Sequence, residues 1–263
     1  MVWRGRVNAI LGMVTGYELA RPMSRRPARP PRRRRKRKYA LRSDYDDAAK
    51  ETITAVRQRT MTSSEKLFGL ISAVRHVVKH DIPGDIVECG VWRGGSMQAV
   101  ARTLAEAGSV DRHLYLFDTF EGMPPPTEVD RRLDGRSAAA LLADSKPTAP
   151  VWAVASLEDV QAGMAEVGYP ADRVHYVKGR VEDTVPGEAP ERIAILRLDT
   201  DWYESTRHEL EHLYPRLTSG GILIIDDYGW WQGSRAAVDE FLEESGERLF
   251  LLRLDRGRIA VKP

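Results

Sequence analysis

Two short runs in this 263-residue chain end in acids. Ile193–Leu198 leads into Asp199-Thr200-Asp201, and Ile222–Ile225 leads into Asp226-Asp227. Runs of this length and β-branched content read as buried strands of a parallel sheet. In such sheets the ligand lies beyond the carboxyl ends of the strands. If the two strands are neighbours, their tips lie about 5 Å apart. Four carboxylates then converge on one spot, where their mutual repulsion is costly without a cation. The pattern points to a divalent metal and to chemistry.

A second pair of acids sits at two further predicted strand ends. Asp85–Cys89 reads as strand one, and Glu88-Cys89-Gly90-Val91-Trp92-Arg93-Gly94-Gly95-Ser96 carries it into a helix over 95–106. Glycine after a strand lets the backbone approach a ligand with no Cβ in the way. The spacing E-x-G-x-x-x-G-x-S differs from G-x-G-x-x-G, which disfavours a dinucleotide site. An acid at the strand end suits a cationic amine. Strand two, 113–117, ends at Asp118, where a carboxylate can accept from both hydroxyls of a ribose. A turn residue would look the same. Together the two acids indicate a nucleoside with an amino-acid tail, S-adenosylmethionine.

The elements that must position these residues alternate. A helix runs from Ser63 or Ser64 to about Lys79, with Leu67, Leu70, Ile71, Val74 and Val78 on its apolar side. After strand two comes a Pro-rich, irregular stretch, then a helix over 157–167 and strand three over 174–177. Strand four, 193–198, is followed by a helix over 204–217 and strand five over 222–225. A helix over 234–244 and a hairpin of 249–254 with 258–261 close the chain. The expected fold is a doubly wound, Rossmann-like α/β sheet with a C-terminal antiparallel hairpin.

Four motifs in order, Glu88 to Ser96, Asp118-Thr119-Phe120-Glu121-Gly122-Met123-Pro124, Leu198-Asp199-Thr200-Asp201 and Asp226-Asp227-Tyr228, resemble the macrocin O-methyltransferase family over about residues 53–245. That family methylates sugar hydroxyls of macrolide and aminocoumarin antibiotics. The resemblance implies a class I methyltransferase fold, S-adenosylmethionine as donor and dependence on Mg²⁺. It implies cofactor contacts from Glu88, Gly90, Val91, Trp92, Arg93, Gly94, Gly95, Ser96, Asp118 and Thr119. It places Thr60 and Met61 over the methionine end of the cofactor, and Ser156 and Asp183 near adenine. It divides the acid cluster into metal ligands Asp199, Asp226 and Asp227 and a general base, Asp201. Oxygen donors suit Mg²⁺, whose remaining positions two vicinal sugar hydroxyls could fill. The stretch from Thr127 to Val151 is the expected substrate lid. Expected partners are a saccharide-bearing small molecule or glycan and further copies of this chain in a homo-oligomer. One alternative is an O-methyltransferase for a catechol-like or other vicinal diol. Another is a catalytically silent membrane or nucleic-acid binding protein on the same fold, which the intact acids argue against.

Composition sets the remaining bounds. Residues 1–42 hold fourteen Lys/Arg and one acid, a net of +13. The whole chain carries only +2, so the body is acidic, at −11. Residues 1–45 read as a basic, disordered segment ahead of a methyltransferase domain over 46–263. Val7, Ile10, Leu11 and Val14 share a helical face, so residues 1–42 also suit peripheral contact with the anionic inner face of a membrane. No aromatic interleaving accompanies the basic run, which disfavours nucleic acid. The one cysteine, Cys89, excludes an internal disulfide and fits a cytoplasmic protein with a core thiol. His208-Glu209-Leu210-Glu211-His212 matches the zinc motif H-E-x-x-H. No third ligand is near in sequence, and its helix packs away from the strand tips, so a solvated helix face is expected. Trp202, Tyr203, Tyr228, Trp230 and Trp231 cluster beside the acids, where they could fill core or face a sugar, and Arg235 could serve the acceptor.

Overall fold

The computed structural model describes residues 41–146 and 149–263. The predicted amphipathic face and most of the basic run lie outside the described residues. Helices α1 (Asp47–Val56) and α2 (Ser64–Lys79) precede β1 (Asp85–Cys89) and α3 (Gly95–Glu106). Then follow β2 (Leu114–Asp118), α4 (Ala138–Ala143), α5 (Leu157–Ala165), β3 (Val174–Lys178), α6 (Val181–Thr184) and β4 (Ile193–Leu198). The remainder is α7 (Tyr203–Leu213), β5 (Leu217–Ile225), α8 (Gln232–Ser245), β6 (Leu252–Leu254) and β7 (Gly257–Val261). The seven strands stand in the order β3-β2-β1-β4-β5-β7-β6. The first five are parallel, and β7 enters antiparallel between β5 and β6.

The order reverses between β1 and β4, so these strands flank the switch point where α/β sheets bind ligands. Register aligns Cys89, Leu198 and Ile225 at the strand ends, and one residue back it sets Glu88 beside Arg197. Side chains alternate between faces. Ile86, Ile195 and Ile224 pack beneath Leu70, Val74 and Met97 of α2 and α3. Val87, Cys89, Leu196, Leu198 and Ile225 pack on Leu210, Leu213 and Val238 of α7 and α8. Glu88, Arg197 and Asp226 fall on the α2 side.

Two predicted boundaries move for physical reasons. The helix after β4 stops at Leu213, because Pro215 falls in the next turn and Tyr214–Arg216 tightens into a 3-10 turn. Strand β5 starts at Leu217, not Ile222, so Gly220-Gly221 lies within the strand at a register shift against Ile193–Ile195. A Cβ on Gly221 would press on the Ala194 carbonyl. The pair serves as a bulge rather than as a lead-in turn. The irregular stretch after β2 contains a helix that periodicity missed, α4, capped by Ser137 accepting from the Ala140 N–H at 3.1 Å. No helix among the described residues is long and apolar enough to cross a membrane.

Asp46 starts α1 by accepting from the Ala49 N–H at 2.9 Å, and Arg75 of α2 grips the same carboxylate at 2.6 and 3.0 Å. The Arg75 hydrogen bond, with the Ala49 N–H, holds its carboxyl well below the ordinary carboxylate range. A depressed carboxyl stabilises the fold above its unfolded value, and that contribution fades as pH falls. Asp46→Ala is expected to cost about 1 kcal/mol at pH 7, the ordinary value of a lost N-cap. Urea melts should show the gap to the parent chain shrinking below about pH 4, where the unfolded carboxyl takes up its proton. A gap that stays constant down to pH 2 would refute this role.

Candidate active site

Arg197 is the hub of the strand tips. Its run is not wholly apolar: the guanidinium lies within β4, 3% exposed, where register sets it beside Glu88. Nη1 donates to Glu88, and Nη2 contacts Asp226 at 2.7 Å, Asp199 at 2.8 Å and the Thr62 hydroxyl at 3.0 Å. Lys66, in the first turn of α2, donates to the Asp226 carboxylate and to its carbonyl at 2.8 Å. The predicted convergence of acids is therefore real but carries two built-in cations, which the acid count alone did not reveal. Five carboxylates, with Glu88 included, still face only two positive groups.

Asp199, Asp226 and Asp227 each present an oxygen, all within 4.8 Å of one another. Burial works against the charge of Asp226, but Lys66 and Arg197 outweigh it and hold this carboxyl low. Burial, followed by the remaining acids, pushes Asp199 and Asp227 well up. Asp199 keeps a quarter of its side-chain surface open, while Asp227 Oδ2 is buried without a hydrogen-bond partner. An orphaned buried oxygen next to two more carboxylates, with oxygen as the only donor type, fits a hard dication.

Asp201 stands beside this trio in the left-handed region, at φ +70°. The Trp231 indole N–H donates to its Oδ1. Burial and then the charge of Asp199 push its carboxyl up to about 7, the range of a working general base.

The described part of the expected lid packs against these tips. Asp130, fully buried, accepts from the Thr127 N–H at 2.7 Å, the Thr127 hydroxyl at 2.9 Å and the Tyr203 N–H at 2.8 Å. Trp202, the N-cap residue of α7, supplies no side-chain cap, so the lid caps the helix. The Leu133 N–H donates to the Trp230 carbonyl at 3.1 Å, and the Gln232 N–H to Arg131 at 2.7 Å. Trp202 and Trp231 meet edge to face at 5.0 Å over Ala138 and Leu142. These aromatics form a wall one hydrogen bond away from Asp201.

The family model for macrocin O-methyltransferases matches residues 24–259. The chain belongs to this family. The match is wider than the motifs suggested and starts inside the basic segment. Mycinamicin III 3''-O-methyltransferase of Micromonospora griseorubida is 35% identical over 198 residues, 75% of each chain. A tetracenomycin-C rhamnosyl 4'-O-methyltransferase of Streptomyces olivaceus is 39% identical over 173 residues, which span 64% of this chain and 62% of that relative. Among solved structures, the O-methyltransferase NovP is 32% identical at a TM-score of 0.67, covering 78% of this chain and 82% of that one. The fold is that of class I methyltransferases.

In this macrocin-family chain the residues expected at the cofactor fall into two groups. One group is tightly joined. A Cβ on Gly90 would overlap the Asp199 carbonyl oxygen, so the β1 turn and the β4 tip touch backbone to backbone. The Gly95 N–H donates to the Arg59 carbonyl at 2.9 Å, and a Cβ there would clash with Arg59 and Thr60. Thr62, which donates its N–H to the Thr60 hydroxyl at 3.0 Å, also lies 3.4 Å from the Ser96 hydroxyl. The 60–62 segment thus lies over the Gly-rich turn, with half-buried Met61 in it. Asp118 Oδ2 accepts from the N–H groups of Val91 at 2.7 Å and Trp92 at 2.9 Å, which holds Trp92 at φ +49°. Its Oδ1 takes the Phe120 N–H at 2.7 Å and the Thr119 hydroxyl at 3.4 Å. The chain's own donors therefore use the acceptor sites that a ribose would need.

The second group is peripheral. Ser156 caps α5 through the Asp159 N–H, and Asp183 is exposed on the short helix α6. Arg93 and Arg59 meet at Asp159, at 2.8 and 2.7 Å, and tie α5 to the turn. Three residues at the site escaped sequence reasoning, Arg197, Lys66 and Asp130, while Thr62 was placed only as part of the 60–63 cover and not as a partner of Arg197. An arginine inside an apolar strand was the one available signal.

Of the H-E-x-x-H pair, His208 Nε2 lies 2.9 Å from the Val185 carbonyl oxygen. The solvated face holds for exposed Glu211 and the partly exposed histidines but not for Glu209, which turns inward and is 0% exposed.

Removing one partner of a buried ion network leaves the others uncompensated, at a cost of about 3–5 kcal/mol. Arg197→Met, close in volume, is expected to lose that much in a urea melt. A loss below about 1 kcal/mol would show that the hub does not hold the tips.

Proposed function

We propose that this chain is a Mg²⁺-dependent O-methyltransferase that moves the methyl group of S-adenosylmethionine to a sugar hydroxyl of a glycosylated small molecule. The observation that carries the reading is the oxygen trio Asp199, Asp226 and Asp227, within 4.8 Å and including an orphaned buried oxygen, next to Asp201. The relatives support the acceptor class, since their names specify a rhamnosyl position of tetracenomycin C and mycinamicin III.

The trio would hold magnesium, which when bound supplies Lewis acidity toward two vicinal hydroxyls of the acceptor. Asp201 takes the proton of the attacking hydroxyl. The hydroxyl oxygen forms its bond to the methyl carbon as the bond from that carbon to sulfur breaks, leaving a methyl ether and S-adenosylhomocysteine. The Trp231 indole keeps the Asp201 carboxylate aimed. Trp202 and Trp231 exclude water, so oxygen, methyl and sulfur stay aligned, the main source of acceleration in such transfers. Glu88 and the Gly90–Ser96 turn receive the methionine end of the donor, with Thr60 and Met61 over it. Asp118 keeps the Val91 and Trp92 N–H groups and accepts a ribose hydroxyl in place of the distant Thr119 hydroxyl, which stays beside the donor and donates to the Gly122 carbonyl at 2.7 Å. Ser156 and Asp183 lie toward adenine.

Labelled S-adenosylmethionine, Mg²⁺ and a panel of deoxysugar glycosides test the reading. Transfer to a catechol but to no saccharide would reverse it. Asp199→Ala or Asp226→Ala is expected to abolish magnesium-stimulated transfer. Asp201→Asn keeps the Trp231 hydrogen bond, so it should still bind donor and metal while kcat drops by about 10²–10⁴-fold. Full turnover in excess chelator would refute the metal role.

A further inference from the structure

Glu209 is a buried acid that the mechanism leaves unused. It sits mid-helix in α7, on the side of the sheet opposite Arg197, Lys66 and the metal-binding carboxylates. The Thr200 hydroxyl donates to its Oε2 at 3.2 Å. Its Oε1 is buried with no nitrogen or oxygen donor among the described residues, and the other group on the carboxyl is the Cys89 thiol at the end of β1, a weak donor. Burying a carboxyl on one hydroxyl and a weak thiol donor opposes folding, so its place under this loop needs a reason.

Thr200 supplies one. It stands between Asp199 and Asp201, two acids with different tasks. The loop is held on its α2 side by Arg197 through Asp199, and at its start by the Asp199 N–H donating to the Cys89 carbonyl at 2.8 Å. Asp201 then adopts a left-handed conformation, which persists in a non-glycine residue only when its surroundings fix it. The Trp202 N–H closes the turn on the Thr200 carbonyl at 2.9 Å. Thr200 is the one residue between the two acids, so an anchor on its side chain holds both.

We propose that Glu209 is a positioning residue: through the Thr200 hydroxyl it fixes the Asp199-Thr200-Asp201 loop from beneath, so that the metal ligand and the base keep their separate directions. The inference rests on the proposed roles of Asp199 and Asp201. It also accounts for the H-E-x-x-H match without zinc, since the glutamate faces inward as a buttress.

Outer supports of metal ligands typically cost 10–100-fold when removed. The full chain and its Glu209→Gln, Glu209→Met and Thr200→Val variants are to be compared. The readouts are Mg²⁺ affinity by calorimetry with the metal alone, kcat, KM for S-adenosylmethionine and melting temperature. Glu209→Gln still accepts from Thr200 and should stay within about 3-fold of the parent in kcat, below that outer-shell range. Glu209→Met and Thr200→Val should each lose about 10–100-fold in kcat and about 10-fold in Mg²⁺ affinity, with KM for S-adenosylmethionine nearly unchanged. The double variant should be no worse than either single one, as expected for two ends of one bond. If Glu209→Met does not fold, Thr200→Val, at a half-buried position, decides. Variants that bind Mg²⁺ and turn over like the parent overturn the inference, as does a loss confined to KM for S-adenosylmethionine. A parent chain that binds no Mg²⁺ overturns the metal reading and the inference with it, whereas a parent that binds while the variants match it overturns the inference alone.

Discussion

The Arg197 guanidinium is the constraint on which the site depends. It is always charged, it is buried, and it touches Glu88, Asp199, Asp226 and Thr62 at once. Those four groups come from β1, the end of β4, the end of β5 and the segment ahead of α2. One planar cation thus sets the spacing of three strand tips and the cover above them. Without it the same acids would repel, and the sheet would have to splay or take up protons. Its attraction is also incomplete by design of the register, because it and Lys66 leave several carboxylates unmatched. A bare cluster would be too costly to fold, and a fully neutralised one would have no call for a further cation.

The backbone contacts around this hub make donor and acceptor halves of the site interdependent. Gly90 packs directly on Asp199, and Gly95 on Arg59 and Thr60. The Gly-rich turn and the acid loop therefore cannot move separately. Asp118, which satisfies the Val91 and Trp92 N–H groups from the next strand, keeps a bulky residue in a conformation that otherwise favours glycine.

Much of this could be read from the chain. Strands β1 and β4 and helix α3 fall where hydrophobic patterning put them, because buried parallel strands are short, continuous and flanked by turns. The acids at the strand ends were visible because a charged residue directly after an apolar run has few explanations. What stayed hidden depends on distance in space. Lys66 looks like any first-turn lysine until α2 packs over β5. Asp130 lies in a stretch without period, and its role as a cap for α7 exists only after the lid folds across 73 residues of sequence. Glu209 was concealed by its own motif, since α7 carries three glutamates and only packing decides which one turns inward. Gly220-Gly221 misled because a bulge and a turn use the same residues.

The cap that Asp130 places on α7 has a consequence for how acceptor preference can change in such proteins. The segment proposed as the acceptor lid is also the segment that satisfies the first N–H of the helix bearing Glu209. Lid sequences are therefore not freely interchangeable parts. A transplanted lid that lacks an acid at this point would leave the start of α7 uncapped and loosen the acid loop, whatever its fit to the new sugar. Asp130 therefore joins two duties, the shape of the lid and the start of α7, and a change of acceptor fit that spares it leaves the acid loop anchored.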